Sequence, residues 1–171
     1  MKRVFPGSKI QIVGSIDEDS FRDFSQSLFE IETSPTKSRM AVEIEINSGG
    51  GTAMDALAFY GRIKRSPCVI NITAYGLVAS AAVLVFAACE QRRMTKECWM
   101  MVHEDQDSLK NASVSEFEKR TAHSRRLENQ WSKLLEDLTG TSQEIWLNLH
   151  KETTYLSADE CKALGIATEV I

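Results

Sequence analysis

The chain has 171 residues, 43% hydrophobic and 26% charged, with a formal net charge of −4. That length suits one domain over residues 1–171 with a core of its own. An acidic balance without a recurring basic tract excludes an evident nucleic-acid partner, so clusters such as Gln91-Arg92-Arg93 and His123-Ser124-Arg125-Arg126 read as solvated faces.

Lys9 to Gly14 alternates like a short strand. Asp17 to Ile31 reads as a helix, opened by acidic residues, with Phe21, Phe24, Leu28 and Ile31 at helical spacing. Thr33 to Arg39, with Pro35, is a loop. Met40 to Ile46 is a strand that runs into Asn47-Ser48-Gly49-Gly50-Gly51, and Met54, Leu57, Ala58 and Ile63 mark the next helix. Val69 to Tyr75 is a strand broken by Gly76, and Ser80 to Cys89 a helix of small residues. Glu97 to His103 is strand-like. Ser113 to Leu138 is a long helix with a capping box from Ser113 and Glu116 and a stop at Gly140. Gln143 to His150 and a helix capped by Ser157 follow, and Ile166 to Ile171 returns as a strand. Strands alternating with helices predict an α/β fold with largely parallel pairing.

Val69 to Cys89 carries no charge over 21 residues, enough to span a bilayer. Its β-branched first half and Ala-rich second half instead predict a buried strand–turn–helix and no membrane association. Met1 to Gly7 lacks the apolar core of a signal peptide, which predicts a cytoplasmic location. Cys68, Cys89, Cys98 and Cys161 are scattered and have no metal-ligand spacing. They read as buried thiols in a reducing compartment, with no metal and no cofactor.

Two strand-to-helix turns carry candidate chemistry, since functional groups gather at the carboxyl ends of strands in such sheets. Asn47 to Gly51 lets a ligand approach the main chain, and its N–H groups suit an oxyanion or a phosphate; it also reads as a tight turn without function. Ser80 opens an apolar helix, either as a cap or as a nucleophile beside a backbone N–H. A serine nucleophile needs a base. Of the three histidines, His123 and His150 lie in helices and read as surface residues, whereas His103 ends the apolar run Trp99-Met100-Met101-Val102.

These segments carry a resemblance. Ile46-Asn47-Ser48-Gly49-Gly50-Gly51 resembles the Ile-Asn-Ser-Pro-Gly-Gly motif of the Clp protease proteolytic subunit (ClpP) family. Gly76-Leu77-Val78-Ala79-Ser80-Ala81 is similar to that family's nucleophile segment, and Met100-Met101-Val102-His103 to its histidine strand. Tyr155 to Glu160 with Leu164-Gly165-Ile166 resembles its carboxyl-terminal signature. The match runs in order from about Lys9 to Ile171. It implies the ClpP/crotonase fold, a stacked β-β-α spiral with a protruding handle helix. It also implies peptide-bond hydrolysis through an acyl-enzyme on Ser80, with His103 as general base and the N–H groups of Gly51 and Ala81 as the oxyanion hole. The implied partners are peptide or unfolded-protein substrates, further copies of the chain in a heptameric ring that stacks singly or in pairs, and an AAA+ unfoldase.

Three departures from the family stand out. The position of its triad acid is Thr153, next to Glu152. A glycine-rich segment after the histidine strand is replaced by Glu104 to Lys110. The chain also begins almost at the first core strand, which leaves little for amino-terminal docking loops. A catalytically silent scaffold is therefore the second expectation. A crotonase-type acyl-CoA enzyme is the third, and it lacks the carboxylates such chemistry commonly uses near the glycine turns. A serine–lysine peptidase would need Lys110 or Lys133, both in unmatched context.

Overall fold

A computed structural model describes residues 9–34, 41–104 and 113–171. Of the loop predicted from Thr33 to Arg39, Thr33 ends the first helix and Ser34 caps it, while 35–39 and most of the segment from Glu104 to Lys110 lie outside the described residues. Among the described residues seven strands form one sheet, parallel except for a single pair. The chain runs β1 (Lys9–Ile16), α1 (Glu18–Thr33), β2 (Val42–Gly51), α2 (Ala53–Lys64), β3 (Ile70–Ala79) and α3 (Ala82–Ala87). It continues through β4 (Arg92–Met94), β5 (Trp99–Val102), α4 (Val114–Thr139), α5 (Gln143–Lys151), β6 (Thr154–Ser157), α6 (Ala158–Ala163) and β7 (Glu169–Val170). The spatial order is β1-β2-β3-β4-β7, with β5 also beside β3 and β6 antiparallel to β5.

Local chemistry explains the helices. At α1, Asp17 accepts from Ser20 N at 2.9 Å while Asp17 N donates to Ser20 Oγ at 3.0 Å, a reciprocal cap that satisfies two orphan N–H groups. The helix buries Phe24, Leu28 and Ile31. Phe24 meets Phe59 of α2 with ring centroids 4.9 Å apart, so both helices cover the same face of the sheet. α6 repeats the device with Ser157 and Glu160. At α4, Ser113 accepts from Glu116 N at 3.3 Å, and Gly140, at φ +79°, closes the helix by donating to Glu136 O at 2.8 Å.

The uncharged stretch from 69 to 89 is the centre of the core. All six residues of α3 are buried, and Ile72, Ala74, Val78 and Ala79 of β3 are fully enclosed. No described helix is long and apolar enough to cross a membrane. All four cysteines are free and buried, and burial pushes the thiols of Cys89 and Cys161 up to about 12.

Two sequence expectations fail here for identifiable reasons. Arg92 is not solvated. It starts β4, which pairs with β3 and β7, and its guanidinium donates to the carbonyls of Ile166 (2.7 Å), Cys89 (3.0 Å) and Gly165 (3.2 Å). Three carbonyl acceptors make a buried cation tolerable, and the side chain ties the carboxyl-terminal turn to the sheet. Its neighbour Arg93 pairs with the largely buried carboxylate of Glu43, which also accepts from Asn71 Nδ2 at 2.7 Å. The second failure is the break at Gly76. β3 passes through that glycine, at φ +64°, and pairs with β4 over Ile72–Ala74 and with β5 over Leu77–Ala79. One long strand thus feeds two shorter ones end to end, which winds the sheet into the next turn of the spiral.

Candidate active site

β3 and β5 are parallel neighbours, with Ala79 opposite Met101. Their carboxyl ends therefore open on the same edge of the sheet, and the next residues there are Ser80 and, after Val102, His103. Ser80 N donates to Met101 O at 2.8 Å, which locks the two strand ends together. Ser80 is the only non-glycine with positive φ among the described residues, at +53°. Left-handed backbone is costly for serine, about 1–3 kcal/mol, and persists where surrounding structure imposes it. The serine does not cap α3: the preceding residue of that helix is Ala81, and no side chain caps it. The sharp turn instead lifts Ser80 between strand and helix.

The glycine run is strand, not turn. Asn47 to Gly51 continue β2, paired with β1 at Ser15–Gly50 and Ile16–Gly51. Both flanking ladders slip at this level, between Val13 and Ser15 and between Ile46 and Ser48, and such bulges commonly re-aim a strand beside a site. Ser48 holds the irregularity by donating from Oγ to Gly14 O at 2.6 Å and accepting from Gly50 N at 3.1 Å. Asn47 Oδ1 accepts from Leu77 N at 3.2 Å. Gly50, at φ +98°, presses against the Ser80 turn so closely that a Cβ there would stand 2.7 Å from Ala79 O and 3.1 Å from Ala81 N.

Gly51, Ser80, Ala81 and His103 border one cavity of about 80 Å³, together with Ala53, Leu127, Glu128, Trp131 and His150. All four residues singled out from the sequence thus come together. His103 Nδ1 lies 2.6 Å from Glu104 O. A carbonyl only accepts, so this contact selects the tautomer with the proton on Nδ1 and leaves Nε2 as an acceptor. No hydrogen bond joins Ser80 Oγ to His103. Neither Glu152 nor Thr153 has a hydrogen bond to the imidazole, and both are exposed. The antiparallel ladder of β5 and β6 ends at Val102–Thr154, so Thr153 is next in register opposite His103.

The expectation that His150 lies on the surface fails: it is buried, at 8% exposure. It follows the buried Trp146 by one helical turn on α5, with ring centroids 6.1 Å apart. That i, i+4 spacing was the available signal. Burial pushes its imidazole below the ordinary value, and nearby His103 adds to the effect. Leu127, Glu128 and Trp131 were also missed as cavity residues, because the long helix read as an interface element. The carbonyl of Glu104 leaves no mark in a sequence at all.

A family model described as Clp protease matches residues 1–171. The chain belongs to the Clp protease family. Clp protease relatives include the ATP-dependent Clp protease proteolytic subunit 2 of Chlamydia trachomatis serovar D, 28% identical over 149 residues, covering 86% of this chain and 71% of that one. The subunit 2 of Chlamydia pneumoniae is 25% identical over the same shares. Among solved Clp structures, a ClpP1 mutant from Listeria monocytogenes superposes with a TM-score of 0.86 at 24% identity, covering 96% of this chain and 91% of that one. The α/β fold, with its parallel sheet and flanking helices, is the Clp protease fold.

Proposed function

We propose that the chain is a working serine peptidase subunit that cleaves peptide bonds of peptide or unfolded-protein substrates through an acyl-enzyme on Ser80. One observation carries the reading: the only left-handed non-glycine among the described residues is Ser80, and it shares a cavity with His103, Gly51 and Ala81. His103 Nε2 takes the Ser80 hydroxyl proton as Oγ attacks the scissile carbonyl. The N–H groups of Gly51 and Ala81 stabilise the oxyanion, and the proton passes from His103 to the leaving amine. Water then attacks the ester by the same route and frees Ser80. The Glu104 carbonyl orients the imidazole, as a carboxylate does in a full triad, but does not neutralise its charge.

Assembly belongs to the same proposal. The first half of α4 is exposed along its length, with Val114 and Phe117 uncovered, which supports a ring of copies packed through this helix. Heptameric closure, stacking of two rings and service to an AAA+ unfoldase follow from the family resemblance.

A silent scaffold is the second reading, favoured by the lack of a carboxylate hydrogen bond at His103 Nδ1. A fluorophosphonate probe separates the two. Labelling of Ser80, abolished by Ser80→Ala and reduced on the order of 10³-fold by His103→Ala, supports the peptidase. Absence of labelling in the assembled wild-type protein supports the scaffold.

A further inference from the structure

The Ser48 hydroxyl occupies a place that a ladder bond would otherwise fill. Thr52 N donates to Ile16 O at 2.9 Å, and the bonds of a parallel ladder recur every second residue. The preceding one would run from Gly50 N to Gly14 O. The register skips Gly14 instead. The buried Ser48 hydroxyl takes both groups, accepting from Gly50 N at 3.1 Å and donating to Gly14 O at 2.6 Å. Gly50 thereby holds its φ of +98°. N–H groups alternate between the two edges of an extended strand. Since Thr52 N faces β1, Gly51 N faces β3, the strand that leads into Ser80. Gly51 also packs directly on β1, where a Cβ would collide with Ile16 O.

We propose that Ser48 is a positioning residue for peptide-bond cleavage, its inserted hydroxyl aiming the Gly51 N–H at the oxyanion that forms when Ser80 attacks. This rests on Ser80 being the nucleophile and Gly51 an oxyanion donor. Ser48 does not border the cavity; it acts through the backbone of Gly50. Removing the hydroxyl frees Gly50 N to close directly on Gly14 O, as in an unbroken ladder. The extra residue of β2 must then be absorbed elsewhere, and Gly51 N turns from the point of attack. An oxyanion exists only after attack, so the loss falls on the chemical step and not on substrate binding.

Steady-state cleavage of a fluorogenic peptide tests this. Rates are counted per Ser80 labelled to completion by a fluorophosphonate, so misfolded chains do not enter. Ser48→Ala should lower kcat on the order of 10²-fold, the loss expected when one oxyanion donor fails, with KM unchanged. Ser20 is the matched control. Its hydroxyl also bridges main-chain groups, accepting from Asp17 N at 3.0 Å and donating to Asp17 O at 2.9 Å. Ser20→Ala should lower the melting temperature and leave kcat alone. Should Ser48→Ala fail to fold, Ser48→Cys keeps the shape with only a weak donor and acceptor, and its kcat should fall with KM held. A wild-type kcat in the folded Ser48 variant, a loss confined to KM, or an equal loss in Ser20→Ala overturns the inference. Labelled wild type with unaffected Ser48 variants rejects the positioning role alone. Wild-type protein that resists labelling rejects Ser80 as nucleophile, and the positioning role with it.

Discussion

Gly50 lies against Ser80, so that a Cβ at Gly50 would stand 2.7 Å from the serine Cβ. The approach couples two strand ends that carry different parts of the site, and it gives the glycine run a role distinct from turning the chain. Gly14 is its natural control, with φ +95° but open space where a Cβ would go. Gly14→Ala should cost only backbone strain, about 1–3 kcal/mol, and leave probe labelling intact. Gly50→Ala should cost more and also abolish labelling, because the Ser80 turn must shift. Equal effects in thermal melts and labelling would show that the close approach has no bearing on the site.

Thr153 is next in register opposite His103, whereas Glu152, one position away on an extended chain, faces elsewhere. Thr153→Asp should therefore bring a carboxylate to the imidazole and speed acylation by a small-peptide substrate, by roughly tenfold or more of the about 10⁴ that an orienting acid can supply. Glu152→Gln should leave the rate unchanged. Stopped-flow acylation that collapsed in Glu152→Gln and ignored Thr153→Asp would make the glutamate the working acid.

Leu127, Trp131 and Leu135 of α4 turn inward against their own subunit, but Val114 and Phe117 are 77% and 54% exposed. If copies pack through this helix as proposed, the double change Val114→Ser with Phe117→Ser should abolish assembly while preserving the fold. Light scattering should then find monomers for the variant and a closed oligomer for the wild type. A monomeric wild type at micromolar concentration contradicts ring assembly.

His150 makes stability depend on pH. Its folded value lies below the ordinary 6.5, so the unfolded chain binds the proton more readily, and stability rises with pH in that interval. Full stability is present above about 6.5 and is lost as pH falls from there toward the depressed folded value. Glu32, held below its ordinary 4.5 by Arg62, loses its contribution only at lower pH. Melting temperature should therefore fall between pH 7 and pH 5, and His150→Leu should flatten that slope. A slope unchanged by the substitution would assign the titration to another group.

The order of elements, the long capped helix and the position of Ser80 and His103 at the ends of apolar runs were legible because each rests on local pattern: periodicity, caps, and polar residues ending apolar segments. What escaped depends on neighbours distant in sequence. Arg92 looked solvated because its three carbonyl partners come from residues 89, 165 and 166. β4 and β6 are only three and four residues long and exist through their partners. The tautomer of His103 is set by a main-chain carbonyl, which every residue type possesses. The left-handed turn at Ser80 escaped too, since a cap and a nucleophile put the same residue at the same boundary and neither reading specifies the backbone there.

β5, the strand that delivers His103, is held on one side by β3 and on the other by β6, whose residues follow some fifty positions later in the chain. During synthesis the amino-terminal strands can pair as they emerge, at about 5–20 residues per second, yet β5 gains its second neighbour only when Thr154 to Ser157 have left the ribosome. The cleft beside Ser80 is thus among the last parts of the molecule to be completed. A nascent chain presents no finished site to its own unfolded stretches or to those of its neighbours on the same message.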